Sequence, residues 1–351
     1  MILLAASKLY GTAAVWRRRW YASSPSRRRR LDRPVISVGN LSTGGSGKTP
    51  VVAHIAALLA SRGERPAILS RGYGRTEPTA GVTIVSDGTT VLAPLDRAGD
   101  EPLMLARALP NVPVIVATDR YEAGRVAERT LGATVHVLDD GFQHLGLERD
   151  VNLLIASPKD LTDHVLPAGH LREPLTAAAS ADALLVEGSA SGVTMKLGVD
   201  TAFLISRTIG EPRWLRSGEP ASIPSGAAIL AVAGIARPAR FFADLEAAHL
   251  RPSATLVFRD HHPYSDADIE RIARSAHDAA ATVVLTTEKD AVRLSAKNLG
   301  DLRVAAVPLT AALEPSFAGW LFERIGKASA LGAEQPASGS RHRAANSRRA
   351  T

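Results

Sequence analysis

The stretch PVISVGNLSTGGSGKTPVVAHIAALLASRG runs from an apolar segment through a glycine-rich loop into an apolar helical pattern closed by Gly63. These residue types suit phosphate binding. Gly44, Gly45 and Gly47 let backbone N–H groups turn inward around phosphate oxygens, and the N-terminus of the next helix adds its positive end. Lys48 can reach the outer phosphates as a catalytic cation, and the Thr49 hydroxyl can ligate magnesium. The candidate nucleotide loop is therefore Ser42, Thr43, Gly44, Gly45, Ser46, Gly47, Lys48 and Thr49. It departs from the general G-x-x-x-x-G-K-[ST] at Ser42, which stands where the first glycine is expected. Pro50 falls in the first helical turn, where a missing N–H does no harm. A chance glycine-rich turn is the alternative; it would not call for a strand before the loop and a helix after it.

A phosphate loop needs a carboxylate at the end of a neighbouring strand to hold magnesium. TVHVLDDGFQH supplies one: the apolar run to Leu138 delivers Asp139 and Asp140 to a strand's carboxyl end, where open parallel sheets place their ligands. An ordinary Asp-Asp-Gly turn would not need Phe142, Gln143 and His144 to follow, so Gln143 and His144 join the candidate substrate contacts. In SRGYGR, Arg71 and Arg75 flank two glycines after a strand, where guanidinium groups would meet phosphates; a surface loop is the rival. In AGDEPLMLARAL, helix capping alone would explain Asp100, with Glu101 and Pro102 in the first turn. In VFRDHHPYSDADIERI, a histidine beside Asp260 at a strand's end can accept or orient a proton near neutral pH. A zinc site at His261 and His262 lacks a third ligand nearby. In VVLTTEKDAVRL, Glu288, Lys289 and Asp290 either cap a helix or face the nucleotide.

The elements that must carry these groups alternate short apolar runs with amphipathic stretches, the pattern of parallel strands joined by helices. The fold class is α/β: a P-loop NTPase-like parallel-sheet core and a second, smaller α/β domain. Core strands are expected at 34–38, 66–70, 113–117, 134–138 and 151–155, and those of the smaller domain at 228–233, 254–258, 282–286 and 303–307. A Gly-, Ser- and Pro-rich zone from about 188 to 226 reads as the connection. The expected organisation is a basic amphipathic segment at 1–33, a P-loop core at 34–200, a linker at 201–227, the smaller domain at 228–326 and a disordered basic tail at 327–351.

Composition sets outer bounds. With 351 residues and 45% hydrophobic content the chain can bury two α/β cores. The absence of cysteine removes disulfides, thiolate nucleophiles and Cys-ligated zinc. The net charge is +7, but residues 1–33 hold nine Lys and Arg against one acid and residues 327–351 five against one, which leaves 34–326 at −5. An acidic middle argues against nucleic acid as a partner despite a pI near 10. The N-terminal MILLAASKLYGTAAVWRRRWY is too short in apolar residues to span a bilayer, yet it combines Leu, Tyr and Trp with the arginines at 17–19 and 27–30. That mix suits a helix lying in an anionic membrane interface, so residues 1–30 are expected to meet a membrane surface. Because the arginines follow the apolar run, a secretory signal fits poorly; a transit peptide or a solvated arm remains open.

Taken in order, GNLSTGGSGKTP, SRGYGR, GDEPLML, LDDGFQH, LPAGHLREPL, the DHH segment and TTEKDAVRL resemble the tetraacyldisaccharide 4'-kinases of lipid A biosynthesis, over about residues 1–325. The resemblance also accounts for Ser42, since this family's loop lacks the first glycine. It implies transfer of the γ-phosphate of ATP, with Mg2+, to the 4'-hydroxyl of a tetraacylated disaccharide 1-phosphate at the cytoplasmic face of the bacterial inner membrane. It makes Asp100 the general base, with His261 tuning it. It groups Thr49, Asp139, Asp140 and Glu101 around the metal and adds Arg172 to Arg71, Gln143 and His144 as substrate contacts. His170 departs from the family's usual proline in LPAGPLREP. No obligate protein partner is inferred. Two rivals remain: a membrane-associated P-loop NTPase switch and a P-loop kinase of a soluble metabolite.

Overall fold

The computed structural model describes residues 2–45, 47–77 and 81–333, with side chains to residue 328. Ser46 of the candidate loop and residues 334–351 of the expected tail lie outside the described residues.

The first element is helix α1 (Ile2–Ala22). Strand β1 (Val35–Asn40), buried along its whole length, feeds the glycine-rich loop and then helix α2 (Lys48–Ser61). Strands β2 (Pro66–Ser70) and β3 (Val82–Ser86), helices α3 (Leu95–Ala98) and α4 (Asp100–Ala108), strand β4 (Val114–Ala117), helix α5 (Arg120–Thr130), and strands β5 (Val135–Asp139), β6 (Val151–Ala156) and β7 (Ala183–Glu187) follow. Then come helix α6 (Ser191–Leu197), strands β8 (Ala202–Ile209), β9 (Arg213–Trp214) and β10 (Ile229–Ala233), helix α7 (Pro238–Ala247) and strand β11 (Ala254–Val257). The chain continues through helix α8 (Asp266–Asp278), strand β12 (Val283–Thr287), helix α9 (Glu288–Leu294), strands β13 (Val304–Val307) and β14 (Leu309–Leu313), and helix α10 (Ser316–Ala333).

Nine strands form one sheet in the order β14-β8-β7-β6-β1-β5-β2-β4-β3, with only the outer pairs β14/β8 and β3/β4 antiparallel. β1 sits at the centre, in parallel register with β5 (Val38 opposite Asp139) and β6 (Ile36 opposite Val151). Parallel strands need helical crossovers and are buried on both faces, which explains their nearly unbroken Val, Ile and Leu runs. Val51, Val52, Ile55, Ala56 and Leu59 of α2 close one face together with Phe317, Leu321 and Ile325 of α10. Ala123 and Ala127 of α5 cover part of the other. A second sheet, β11-β10-β12-β13-β9, has its own core around Leu230, Val232, Ile272 and Val284.

The expected linker is a correction. Within 201–227, β8 pairs with β7 in parallel and with β14 antiparallel, and β9 closes the smaller sheet. β8 buries Phe203 and Ile205 while Leu204, Ser206 and Thr208 face outward or partly outward, so its polar half read as connection. The second segment is not confined to the smaller unit either, because β14 and α10 return to the large sheet and its core. The expected tail also begins late: α10 runs on to Ala333.

Helix α1 lies against the segment that contains LPAGHLREP. The Ala168 N–H donates to Ser7 Oγ at 2.9 Å, and the small residue Gly11 abuts Pro174. Arg18 pairs with buried Glu173 at 2.6 Å and covers the Phe142 ring. Ile2, Leu9 and Trp16 remain 87%, 75% and 68% exposed. Among the described residues no helix is long and apolar enough to cross a membrane. The arginines at 27–30, expected to face lipid, are mostly used within the chain. Arg27 stacks on Trp20, Arg29 pairs with Asp119 and Glu122, and Arg30 pairs with Glu148 and Asp150. The acids on α5 and before β6 meet them because folding brings those ends together.

Candidate active site

The carboxyl ends of β1, β2 and β5 open onto one cavity of about 940 Å³, closed on its other side by the smaller unit. Thr43, Gly44, Gly45, Gly47, Lys48 and Thr49 line it. Gly47 caps α2 with φ +69°, a left-handed conformation that favours glycine. Lys48 Nζ donates to Asn40 Oδ1 at 2.9 Å and lies 3.4 Å from Asp140 Oδ1, so the lysine is already aimed across the loop mouth. Ser42 is buried behind the loop rather than on the cavity wall, and its hydroxyl and carbonyl accept from the Asn40 amide. The LPAGHLREP segment pairs with the loop's start: the Thr43 N–H donates to the His170 carbonyl and the Arg172 N–H to the Leu41 carbonyl. This pairing brings Arg172 Nη1 to 2.7 Å from Asp140 Oδ2.

Asp139 and Asp140 both reach the cavity, with Glu101 on its wall. Burial, then the negative charges of Glu101 and Asp140, push the Asp139 pKa up to about 7. Burial acts on Asp140 in the same direction, but Lys48 and Arg172 outweigh it and hold its pKa below the usual value. Such crowding of carboxylates fits a divalent cation, which would relieve their repulsion. Among the described residues no three His, Asp or Glu side chains form an ion site by themselves, so nucleotide oxygens and the Thr49 hydroxyl would have to complete the set.

Facing this wall is His261, which lines the cavity with its ring edge-on to Tyr73, 5.4 Å between centroids. Its Nδ1 lies 2.8 Å from Asp100 Oδ2, and its Nε2 3.0 Å from Lys289 Nζ. The Lys289 ammonium can only donate, which makes Nε2 an acceptor there, while Nδ1 faces both Asp100 Oδ2 and the Arg293 Nη2 donor at 2.9 Å. Burial, then the Lys289 charge, lower the His261 pKa. Asp100 itself does not line the cavity; it is buried behind His261, where Arg293 grips both its oxygens, with Nε at 2.8 Å from Oδ1 and Nη2 on Oδ2. Gly99 makes this possible: at φ +83°, an added Cβ would stand 2.7 Å from the Tyr73 carbonyl, so only glycine lets the SRGYGR turn abut the start of α4.

Of the expected substrate contacts, Arg71, Gln143 and Arg172 line the cavity and His144 does not. The turn at Gly141 sends Gln143 inward, where its amide donates to the Asn40 carbonyl and to Glu173. His144 instead sits beside Arg120 and Arg149, and burial, reinforced by Arg120, lowers its pKa to about 4. His170 uses its backbone in the loop pairing while its side chain, largely exposed, turns to Asp163 at 3.0 Å. Thr287 rather than Asp290 caps α9; the buried Asp290 carboxylate accepts from the Gly234 N–H, Thr287 and Tyr264. His262 pairs with Asp268 at 3.0 Å, away from any zinc-like cluster.

Several site groups escaped the sequence reading. Arg293 arrives on α9 and Arg207 on β8, and Arg17, read only as a membrane-facing arginine, lines the cavity from α1. Glu173, Asn40 and Arg293 had a local signal, each lying in or next to a segment already singled out.

Comparison with known proteins places this geometry. The family model described as Tetraacyldisaccharide-1-P 4'-kinase matches residues 1–326. A tetraacyldisaccharide 4'-kinase of Koribacter versatilis is 40% identical over 311 residues, covering 87% of this chain and 91% of the relative. One from Geobacter metallireducens is 42% identical over 300 residues, covering 84% and 88%. The crystal structure of LpxK from Aquifex aeolicus in complex with ATP aligns with a TM-score of 0.76 at 33% identity, covering 92% of this chain and 98% of that one. On a family model that spans nearly all its described residues and on relatives matched over most of their length, the chain belongs to the tetraacyldisaccharide 4'-kinase family.

Proposed function

We propose that the chain transfers the γ-phosphate of ATP to the 4'-hydroxyl of tetraacyldisaccharide 1-phosphate through the residues that face each other across this cavity. One observation carries the reading: Lys48 and Asp140 on one wall oppose His261, backed by Asp100, on the other, and Tyr10, Ala13, Ala14 and Arg17 of α1 line the same space. A phosphate donor, a proton acceptor and a helix with exposed apolar residues thus converge, as a lipid-borne alcohol requires.

The acceptor oxygen attacks the γ-phosphorus while its proton passes to the Asp100–His261 pair; the new O–P bond forms as the bond to the β-phosphate breaks and ADP leaves. Lys48 neutralises charge on the phosphate oxygens. Thr49, Asp139, Asp140 and Glu101 would hold Mg2+, which supplies further charge neutralisation when bound. Arg71, Arg172 and Gln143, which line the cavity, orient the substrates. We place the enzyme at the cytoplasmic face of the inner membrane, with the apolar residues of α1 against lipid. Such contact needs no crossing helix.

The test is transfer of labelled γ-phosphate to a tetraacylated disaccharide 1-phosphate in micelles, comparing the wild type with Lys48→Ala and Asp100→Ala. Lipid-dependent labelling lost in both variants is expected. ATP hydrolysis indifferent to lipid would replace this reading with an NTPase switch, and labelling of a soluble alcohol without lipid would point to a metabolite kinase.

A further inference from the structure

We propose that Arg207 is a further nucleotide-positioning residue: a guanidinium that presses the polyphosphate of ATP against the N-terminus of α2. The proposal rests on the nucleotide occupying the phosphate loop.

β8 carries Arg207 over the loop. An ideal Cβ at Gly47 would lie 2.2 Å from both Cζ and Nη1 of Arg207, so the guanidinium rests directly on the residue that caps α2. Its side chain is 7% exposed and lines the cavity beside Lys48 and Thr49. Glu187, at the end of β7, lies 2.6 Å from Nε as an ion pair without hydrogen-bond alignment, while the Nη edge faces the loop. The same carboxylate takes Arg240 of α7 at 3.0 Å, and Arg237 stands at the start of that helix, on the same cavity. Three guanidinium groups thus gather around Glu187 and Asp244 on this side of the loop, while Lys48 faces Asp140.

A buried cation against a helix N-terminus is an unfavourable arrangement, since both present positive charge. Burial lowers the Arg207 pKa against the pull of Glu187, and repulsion from Arg240 and Arg237 adds to that lowering. A polyphosphate between guanidinium and helix end satisfies both at once, with the planar fork suited to two phosphate oxygens. Because Glu187 is shared with Arg240, the contact also ties the smaller unit to the loaded nucleotide site. The competing possibility is that Arg207 fills phosphate space as a plug, and it predicts the opposite sign on removal.

The experiment measures MgATP and MgADP dissociation constants by calorimetry, with steady-state KM and kcat, for the full chain and Arg207→Ala, Arg207→Lys, Glu187→Gln and Lys48→Ala. Thermal melts serve as a check that each variant folds. Arg207→Ala is expected to weaken MgATP roughly ten- to a hundredfold, as loss of a charge-assisted contact does, and to raise KM for ATP more than it lowers kcat. Arg207→Lys is expected to restore only part of the affinity, because an ammonium lacks the fork, and Glu187→Gln to fall between. The KM for lipid stays unchanged in all three. Should Arg207→Ala not fold, Arg207→Lys and Glu187→Gln carry the same comparison. Unchanged or tighter ATP binding in the Arg207 variants, with Lys48→Ala weakened, overturns the role, and tighter binding identifies a plug. Unchanged binding in Lys48→Ala as well would instead overturn nucleotide binding at the loop.

Discussion

Asp100→Asn keeps the shape of the side chain behind His261 and removes its charge. In the wild type the carboxylate accepts from Arg293 Nε at 2.8 Å and from Arg293 Nη2, and lies 2.8 Å from His261 Nδ1. An asparagine offers one acceptor oxygen and turns an NH2 group toward these donors, so at least one contact is lost and the Arg293 charge stays buried without its counter-ion. Removing one partner of a buried ion pair destabilises by about 3 kcal/mol or more, and stability should fall accordingly. Loss of general-base assistance should cost about 10²- to 10⁴-fold in kcat, roughly 3 to 5 kcal/mol of barrier. ATP affinity should not move, because Asp100 lies behind the cavity wall. Phosphate transfer assayed well below the melting temperature separates the two effects, and His261→Gln with the double variant completes the cycle. If the pair works as a unit, the double variant is hardly slower than either single one. A double variant whose loss is the product of the two single losses, or an Asp100→Asn enzyme within a few-fold of wild-type kcat, would refute the paired role.

Two further outcomes follow from the same geometry. The groups around His261 are Asp100, Arg293, Asp260, Glu101, Asp290 and Lys289, and the last keeps the imidazole neutral below its ordinary pH range after burial has begun that shift. Activity should therefore persist to more acid pH than an ordinary histidine would allow, and Lys289→Met should raise the His261 pKa and move the acid limb of kcat to higher pH; a limb that stays or moves lower contradicts it. Arg18→Ala should leave Glu173, only 4% exposed, with the Gln143 amide but no counter-ion, costing about 3 kcal/mol and loosening α1. Faster hydrogen exchange across Ile2–Ala22 and a higher KM for lipid are the readouts, and unaltered α1 protection would show that the pair does not hold the helix.

What could be read early was local. A strand, a glycine loop and a helix are consecutive in sequence, so Gly44 to Thr49 were legible as one phosphate-binding unit. The paired aspartates were legible because a strand's carboxyl end follows directly from where its apolar run stops. Motif resemblance then supplied the pairing of Asp100 with His261, which lie 161 residues apart and share no local pattern.

Tertiary structure decided the rest. The sequence determined the α/β class, the phosphate loop and its acidic partners, because apolar periodicity and turn residues act over a few neighbouring positions. Folding alone decided that Arg293, 193 residues from Asp100, grips its carboxylate, and that Arg207 of a supposed linker rests on Gly47. It also decided that His144 turns away while Gln143 turns in, and that Arg18 is spent on Glu173 rather than on a membrane. A charged side chain says nothing in sequence about its counter-ion; that choice is made by which strand ends and helix faces come together, and by the penalty for leaving any of those charges buried alone.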